Sequence, residues 1–188
     1  MKILKLPKEK LDFFASVLQR FGEVHAPVEE NGEFVFRRLK RWSEARLDYQ
    51  RTVLPLKKYF LPPRETLIEY RPGQGYVAAA GLEERLVLFG VHACDIYALN
   101  VLDRVFGGPY PDPYYQTRRR HIAIIGIDCR PDERCFCRSM RADFVDRGFD
   151  LFFHDLGDAY LTIVGTAVGD DMVLATGPLF APVTAADI

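Results

Sequence analysis

The sequence has no excess of either charge: 25 basic side chains stand against 26 acidic ones in 188 residues, with a pI near 6.4. Bulk electrostatic binding of nucleic acid is thereby excluded. Long hydrophobic runs are missing too. The longest stretch without Asp, Glu, Lys or Arg, residues 172–186, is shorter than the ~20 residues of a membrane helix and contains Pro178 and Pro182. The opening residues carry Lys2, Lys5 and Lys8, which leaves no apolar region for a signal peptide. The cytoplasm, where thiols stay reduced, is the expected compartment. No internal repeat or low-complexity segment occurs. There is no Ser/His/Asp order, no H-E-x-x-H and no phosphate loop. Gly73-Gln74-Gly75 is a lone G-x-G in a Pro-flanked turn and carries no nucleotide signal. Cysteine is scarce: four residues, all between Cys94 and Cys137.

Hydrophobic residues make up 48% of the chain, enough for a sizeable core. Two textures follow one another. Residues 1–81 read as an α+β region. Leu11, Phe14 and Leu18 predict an amphipathic helix over 8–21, stopped by Gly22. Strands at 24–28 and 34–36 flank Asn31-Gly32, a strong hairpin signal. Residues 82–188 read as an α/β unit on which the first region packs, either as two domains or as one continuous domain. Apolar strands at 86–91 and 122–127 enclose a helix over 95–106, with further strands at 151–153 and 160–164. The expected fold is α/β: a parallel-sheet core with crossover helices and an N-terminal α+β appendage containing a hairpin.

The cysteines carry the chemistry. Cys94 follows the first apolar strand and opens a helix; Cys129, Cys135 and Cys137 follow the second. Parallel neighbouring strands would bring both loops to the carboxyl edge of one sheet, where α/β proteins place their sites. Four thiolates can close a tetrahedral zinc site or hold an iron–sulfur cluster. The helix dipole is expected to bias Cys94 toward thiolate. Arg130, Arg134, Arg138 and Arg141 crowd the same loop and offset negative charge. The spacing is neither that of a zinc ribbon nor the ferredoxin C-x-x-C-x-x-C run. Spacing therefore leaves several readings open: ligation of a metal or cluster, reduced cysteines with at least one buried as a small hydrophobe, or a redox disulfide within 129–137. A further reading is a thiol enzyme using Cys94 with His92.

His92 reads as a satisfied loop histidine, or else as a ligand or a donor to a cluster sulfur. His121 reads as structural, and His25 and His154 show no partner in sequence. Asp95 suits the first helical turn. Residues 109–115, with Asp112-Pro113-Tyr114-Tyr115, read as a rigid aromatic loop that covers the cysteines or else forms a docking surface for a partner. Arg118-Arg119-Arg120 reads as a solvated charged run or a dock for an acidic partner.

Gly90-Val91-His92-Ala93-Cys94-Asp95-Ile96-Tyr97-Ala98-Leu99 and Leu102-Asp103-Arg104-Val105-Phe106 resemble a stretch of the hydrogenase/sulfur reductase beta subunit family. That family includes the beta subunits of sulfhydrogenases and the A-type subunits of anaerobic sulfite reductases. The resemblance continues through Asp112-Pro113-Tyr114-Tyr115, Arg118-Arg119 and Asp128-Cys129 to Cys135-Phe136-Cys137. Residues 54–63 also look like that family's approach segment. The family continues into a ferredoxin-like half with two 4Fe-4S clusters. These 188 residues hold no C-x-x-C-x-x-C run, so the likeness is to the N-terminal part. The resemblance implies a non-catalytic electron-transfer component of an oxidoreductase complex. Its partners would be a flavin-containing subunit that handles NAD(P)H, together with hydrogenase or reductase subunits. It also implies one 4Fe-4S cluster on Cys94, Cys129, Cys135 and Cys137, in preference to a four-cysteine zinc site that staples an interaction module.

Overall fold

The computed structural model describes residues 2–79 and 84–184. The expected boundary near residue 81 lies outside the described residues.

Apolar strands form the centre. β1 (Lys2–Pro7) leads through a short 3-10 turn into α1 (Leu11–Leu18). α1 ends before Gly22, and that glycine has another reason to be there. A side chain at Gly22 would stand 2.5 Å from the Arg85 carbonyl oxygen. The predicted hairpin forms from β2 (Glu23–Glu30) and β3 (Glu33–Arg38). Asn31 and Gly32, at φ 54° and 80°, supply its left-handed turn. A separate hairpin joins β4 (Ile68–Arg71) to β5 (Gly75–Ala78) across the Gly73–Gly75 turn. Then come β6 (Leu86–His92), α2 (Ala93–Phe106), α3 (Pro113–His121), β7 (Ile122–Ile127) and β8 (Leu151–Asp155). β9 (Ala159–Val164), α4 (Ala167–Leu174) and the short β10 (Ala181–Pro182) complete the order.

Among the described residues, eight strands form one mixed sheet in the order β10-β1-β9-β8-β7-β6-β2-β3. Its centre, β2-β6-β7-β8, is parallel, as the apolar runs predict. The N-terminal elements do not stand apart from it: β2 pairs with β6, and β1 pairs with β9.

Side chains alternate between the two faces. Val87, Phe89, Ile125 and Ile127 pack with α1 and α4 on one face. Leu88 and Ile124 pack with α2, α3 and Phe60 on the other. Val91 breaks the alternation by joining the second face, because a bulge at Gly90 inserts a residue between Phe89 and Val91. Gly90 sits at φ 82°, a conformation that suits glycine.

His25, on β2, has partners after all: the Tyr59 hydroxyl at 2.8 Å and the Glu23 carboxylate at 2.8 Å. Burial lowers its pKa, opposed by Glu23 and reinforced by Lys58 and Arg38. The sign of the linkage follows. Above the unfolded value of about 6.5 the ring is neutral in both states; below it the unfolded chain takes the proton first, and stability falls. Urea midpoints are expected to drop as pH falls below about 6.5, less steeply in His25→Gln. An unchanged slope in that variant would refute the assignment.

Candidate metal centre at the carboxyl edge of the sheet

Strand register places the first two cysteines. β6 and β7 run parallel, with Phe89 opposite Ile125 before the bulge and His92 opposite Ile127 after it. The extra residue shifts the pairing by one. Cys94 and Cys129 consequently each follow the last paired residues by two positions, in segments that leave neighbouring strands. Without the bulge, Cys94 would fall level with Arg130.

Cys94 is the second residue of α2, and Cys129 follows β7 by two residues. Cys135 and Cys137 lie in a loop of tight turns. The Asp132 carboxylate accepts from the Arg134 amide at 2.9 Å, the Cys135 amide donates to the Asp132 carbonyl, and the Ala142 amide donates to the Cys137 carbonyl. Arg141 takes φ 52° at the return of the loop. All four thiols are free and neither fully buried nor fully exposed. The disulfide considered within 129–137 is not formed.

The thiols act on one another electrostatically. Burial pushes Cys94 up to about 12, with further upward contributions from Asp95, Cys129 and Cys137. Burial likewise pushes Cys129 up to about 11, helped by Cys137, Cys135, Asp128 and Asp95. The expected bias of Cys94 toward thiolate is thus reversed: desolvation and neighbouring negative charge outweigh the helix terminus. A cysteine nucleophile requires the opposite, a lowered pKa. Its supposed base is no better placed, since burial holds His92 near 4. The Cys94–His92 thiol enzyme is therefore not supported. Among the described residues, no three or more His, Cys, Asp or Glu are gathered as tightly as a single metal ion requires.

His92 corrects a second expectation. It is the last residue of β6, only 3% exposed, and its Nε2 has no hydrogen-bond partner. Its ring stacks on Tyr49 at 4.0 Å and 11°. The Tyr49 hydroxyl donates to the Gly90 carbonyl at 2.9 Å. Burial raises the Tyr49 pKa, as do Asp95, Cys94 and Cys129, so the phenol lies within electrostatic reach of both thiols. Arg51 donates to the Asp132 carboxylate at 2.6 Å and reaches the Cys135 sulfur at 3.9 Å. Tyr49 and Arg51 were missed in sequence, because nothing local connects them with a strand some forty positions later and a loop some eighty positions later.

The aromatic segment does not cover the cysteines. Asp112 caps α3, accepting from the Tyr114 and Tyr115 amides, with Pro113 in the first turn. The Asp112 amide bonds the Phe106 carbonyl, at the far end of α2. Cys94 opens that helix, twelve residues or about 18 Å of rise away. The arginine run is not uniformly solvated either. Arg118 is buried, pairs with Glu65 and donates to the Phe60 carbonyl at 3.0 Å. Arg119 pairs with Asp103 at 3.2 Å, and of the three only Arg120 is exposed. His121 bonds the Thr117 carbonyl and is structural, as expected; His154 pairs with Asp128 at 2.9 Å.

A cavity of about 580 Å³ opens beside Cys129, walled by Trp42, Tyr49 and Tyr160. Phe136, between Cys135 and Cys137, is 74% exposed, and Met140 is 62% exposed. No helix among the described residues is long and apolar enough to cross a membrane.

No protein-family model matches the chain. Over all 188 residues it is 39% identical to "Sulfhydrogenase 2 subunit beta" of Pyrococcus furiosus, and it spans 56% of that protein's length. The resemblance seen at residues 90–106, 112–119 and 128–137 is thus part of a match that runs through the whole chain. This chain is related from end to end to a hydrogenase beta subunit, of which it spans about half.

Proposed function

We propose that this chain is an electron-transfer component of a hydrogenase-type complex and holds one 4Fe-4S cluster on Cys94, Cys129, Cys135 and Cys137. The observation that carries this is the shared level of Cys94 and Cys129 past the paired residues His92 and Ile127. The donor set fits the group: four free thiols, each partly shielded, supplied by the two segments that leave neighbouring parallel strands. Kinship with a sulfhydrogenase beta subunit supports a redox role.

Bound there, a cluster takes up and returns single electrons. The protein contributes no acid, base or nucleophile in this reading. Cys94 and Cys129 anchor one side from rigid elements, and Cys135 and Cys137 close the other from a loop. Tyr49 and His92 form a dry wall. Arg51 and the loop arginines supply positive charge that balances an anionic guest. The partners in this reading are a flavin-containing subunit that handles NAD(P)H, together with hydrogenase or reductase subunits, and the setting is the cytoplasm.

Anaerobic reconstitution with iron and sulfide tests it. The expected product is brown, with iron and sulfide in the equal proportions of a cubane cluster. A colourless protein that takes up zinc alone, in stoichiometric amount, would replace the electron carrier by a stapled interaction module.

A further inference from the structure

One segment contacts both the strand that leads to Cys94 and the loop that carries Cys135, and belongs to neither. Residues 47–53 have no regular secondary structure, yet they are held at each end. The Arg46 amide bonds the Pro27 carbonyl at 2.8 Å, and the Val53 amide bonds the Phe34 carbonyl at 3.0 Å. Between these anchors the segment makes two kinds of contact. Tyr49 is buried against β6, stacked on His92 and bonded to the bulged Gly90. Two residues later, Arg51 reaches out to the loop. One guanidinium nitrogen lies 2.6 Å from Asp132 Oδ1 and 3.9 Å from Cys135 Sγ. Asp132 is itself the residue that turns the loop, through the Arg134 and Cys135 amides.

We propose that residues 47–53 are a strap fixing the cysteine loop against the sheet edge, with Arg51 as the positioning residue for Cys135. The inference rests on the reading of the four cysteines as ligands and names a residue that this reading leaves unassigned. Tyr49 ties the strap to the strand that delivers Cys94. Arg51 ties it to the turn that delivers Cys135. The strap thereby transmits the position of the sheet half of the site to the loop half. An exposed ion pair contributes little to global folding. Arg51 acts locally, on the order of one turn. A cation donating toward a ligand sulfur also favours the more negative, reduced state of whatever that sulfur holds.

Two variants of the full chain, Arg51→Gln and Arg51→Lys, separate these effects. In metal-free protein, amide exchange across residues 132–142 is expected to quicken several-fold in Arg51→Gln and less in Arg51→Lys. Exchange in β7 should stay unchanged. After iron loading, the midpoint potential is expected to fall in Arg51→Gln and to recover partly in Arg51→Lys. Equal loop exchange in wild type and Arg51→Gln overturns the positioning role. Faster exchange with an unmoved potential overturns the electrostatic part. Failure of the wild type to load iron overturns the ligand reading instead, and the exchange result still decides the strap.

Discussion

Serine in place of Cys129 is expected to abolish iron loading while leaving the metal-free fold intact. Cys129 lies just past the end of β7, partly exposed and without a disulfide. Serine is close to it in size, so the metal-free variant should unfold within about 1 kcal/mol of the parent, as substitutions outside the packed core usually do. The loaded state is different. Metal binding by the loop's ligands is folding energy, and a hydroxyl is a poor substitute for a thiolate. Loaded parent should therefore melt well above loaded variant, whereas the two metal-free proteins should melt together. Iron analysis and thermal melts on both pairs check this. Full iron content and an unchanged spectrum in Cys129→Ser would remove Cys129 from the ligand set.

Valine in place of Gly90 is expected to destabilise the fold by roughly 2–5 kcal/mol, summing the cost of a left-handed L-residue and that of overpacking. At φ 82° a β-branched residue is strained. Its Cβ would also stand 2.9 Å from Leu47 Cδ2 and 3.3 Å from Pro27 Cδ. Gly32 provides the control, since it has φ 80° and a Cβ added there would meet nothing within 4 Å. Gly32→Val should show the backbone cost alone. The second effect is on function. If the chain relieves the strain by closing the bulge, Cys94 slips one position against Cys129, and iron loading should fall. Urea unfolding and iron content, measured on both variants, read the two effects separately. Equal losses at Gly90 and Gly32 would show that crowding against Leu47 is unimportant.

The sheet and the cysteine edge were legible because they depend on local pattern. Apolar runs such as 86–91 and 122–127 declare buried strands, and two loops leaving parallel neighbours must share an edge. The details that tune the site were not. The Gly90 bulge was signalled only by a glycine within a strand. The α3 start was signalled by Asp112-Pro113, a cap followed by proline, but the surrounding aromatics and prolines read as a loop. β1 and α4 are flanking elements with weak patterns. The sign of the Cys94 shift was misread because a helix terminus is visible in sequence and burial is not. Arg118 looked solvated for the same reason: its partners, Phe60 and Glu65, lie more than fifty residues away.

The outer strands of the sheet limit how this protein can meet others. On β3, the Phe34 and Phe36 carbonyls are already occupied, by the Val53 amide and the Lys58 ammonium at 2.7 Å. On the opposite margin, β10 is two residues long and one of them is Pro182, which has no N–H to offer. Among the described residues, these features leave a visiting strand fewer free backbone groups at the rims of the eight-stranded sheet. In the proposed role, a companion chain would dock on this sheet through side chains and loop tips instead.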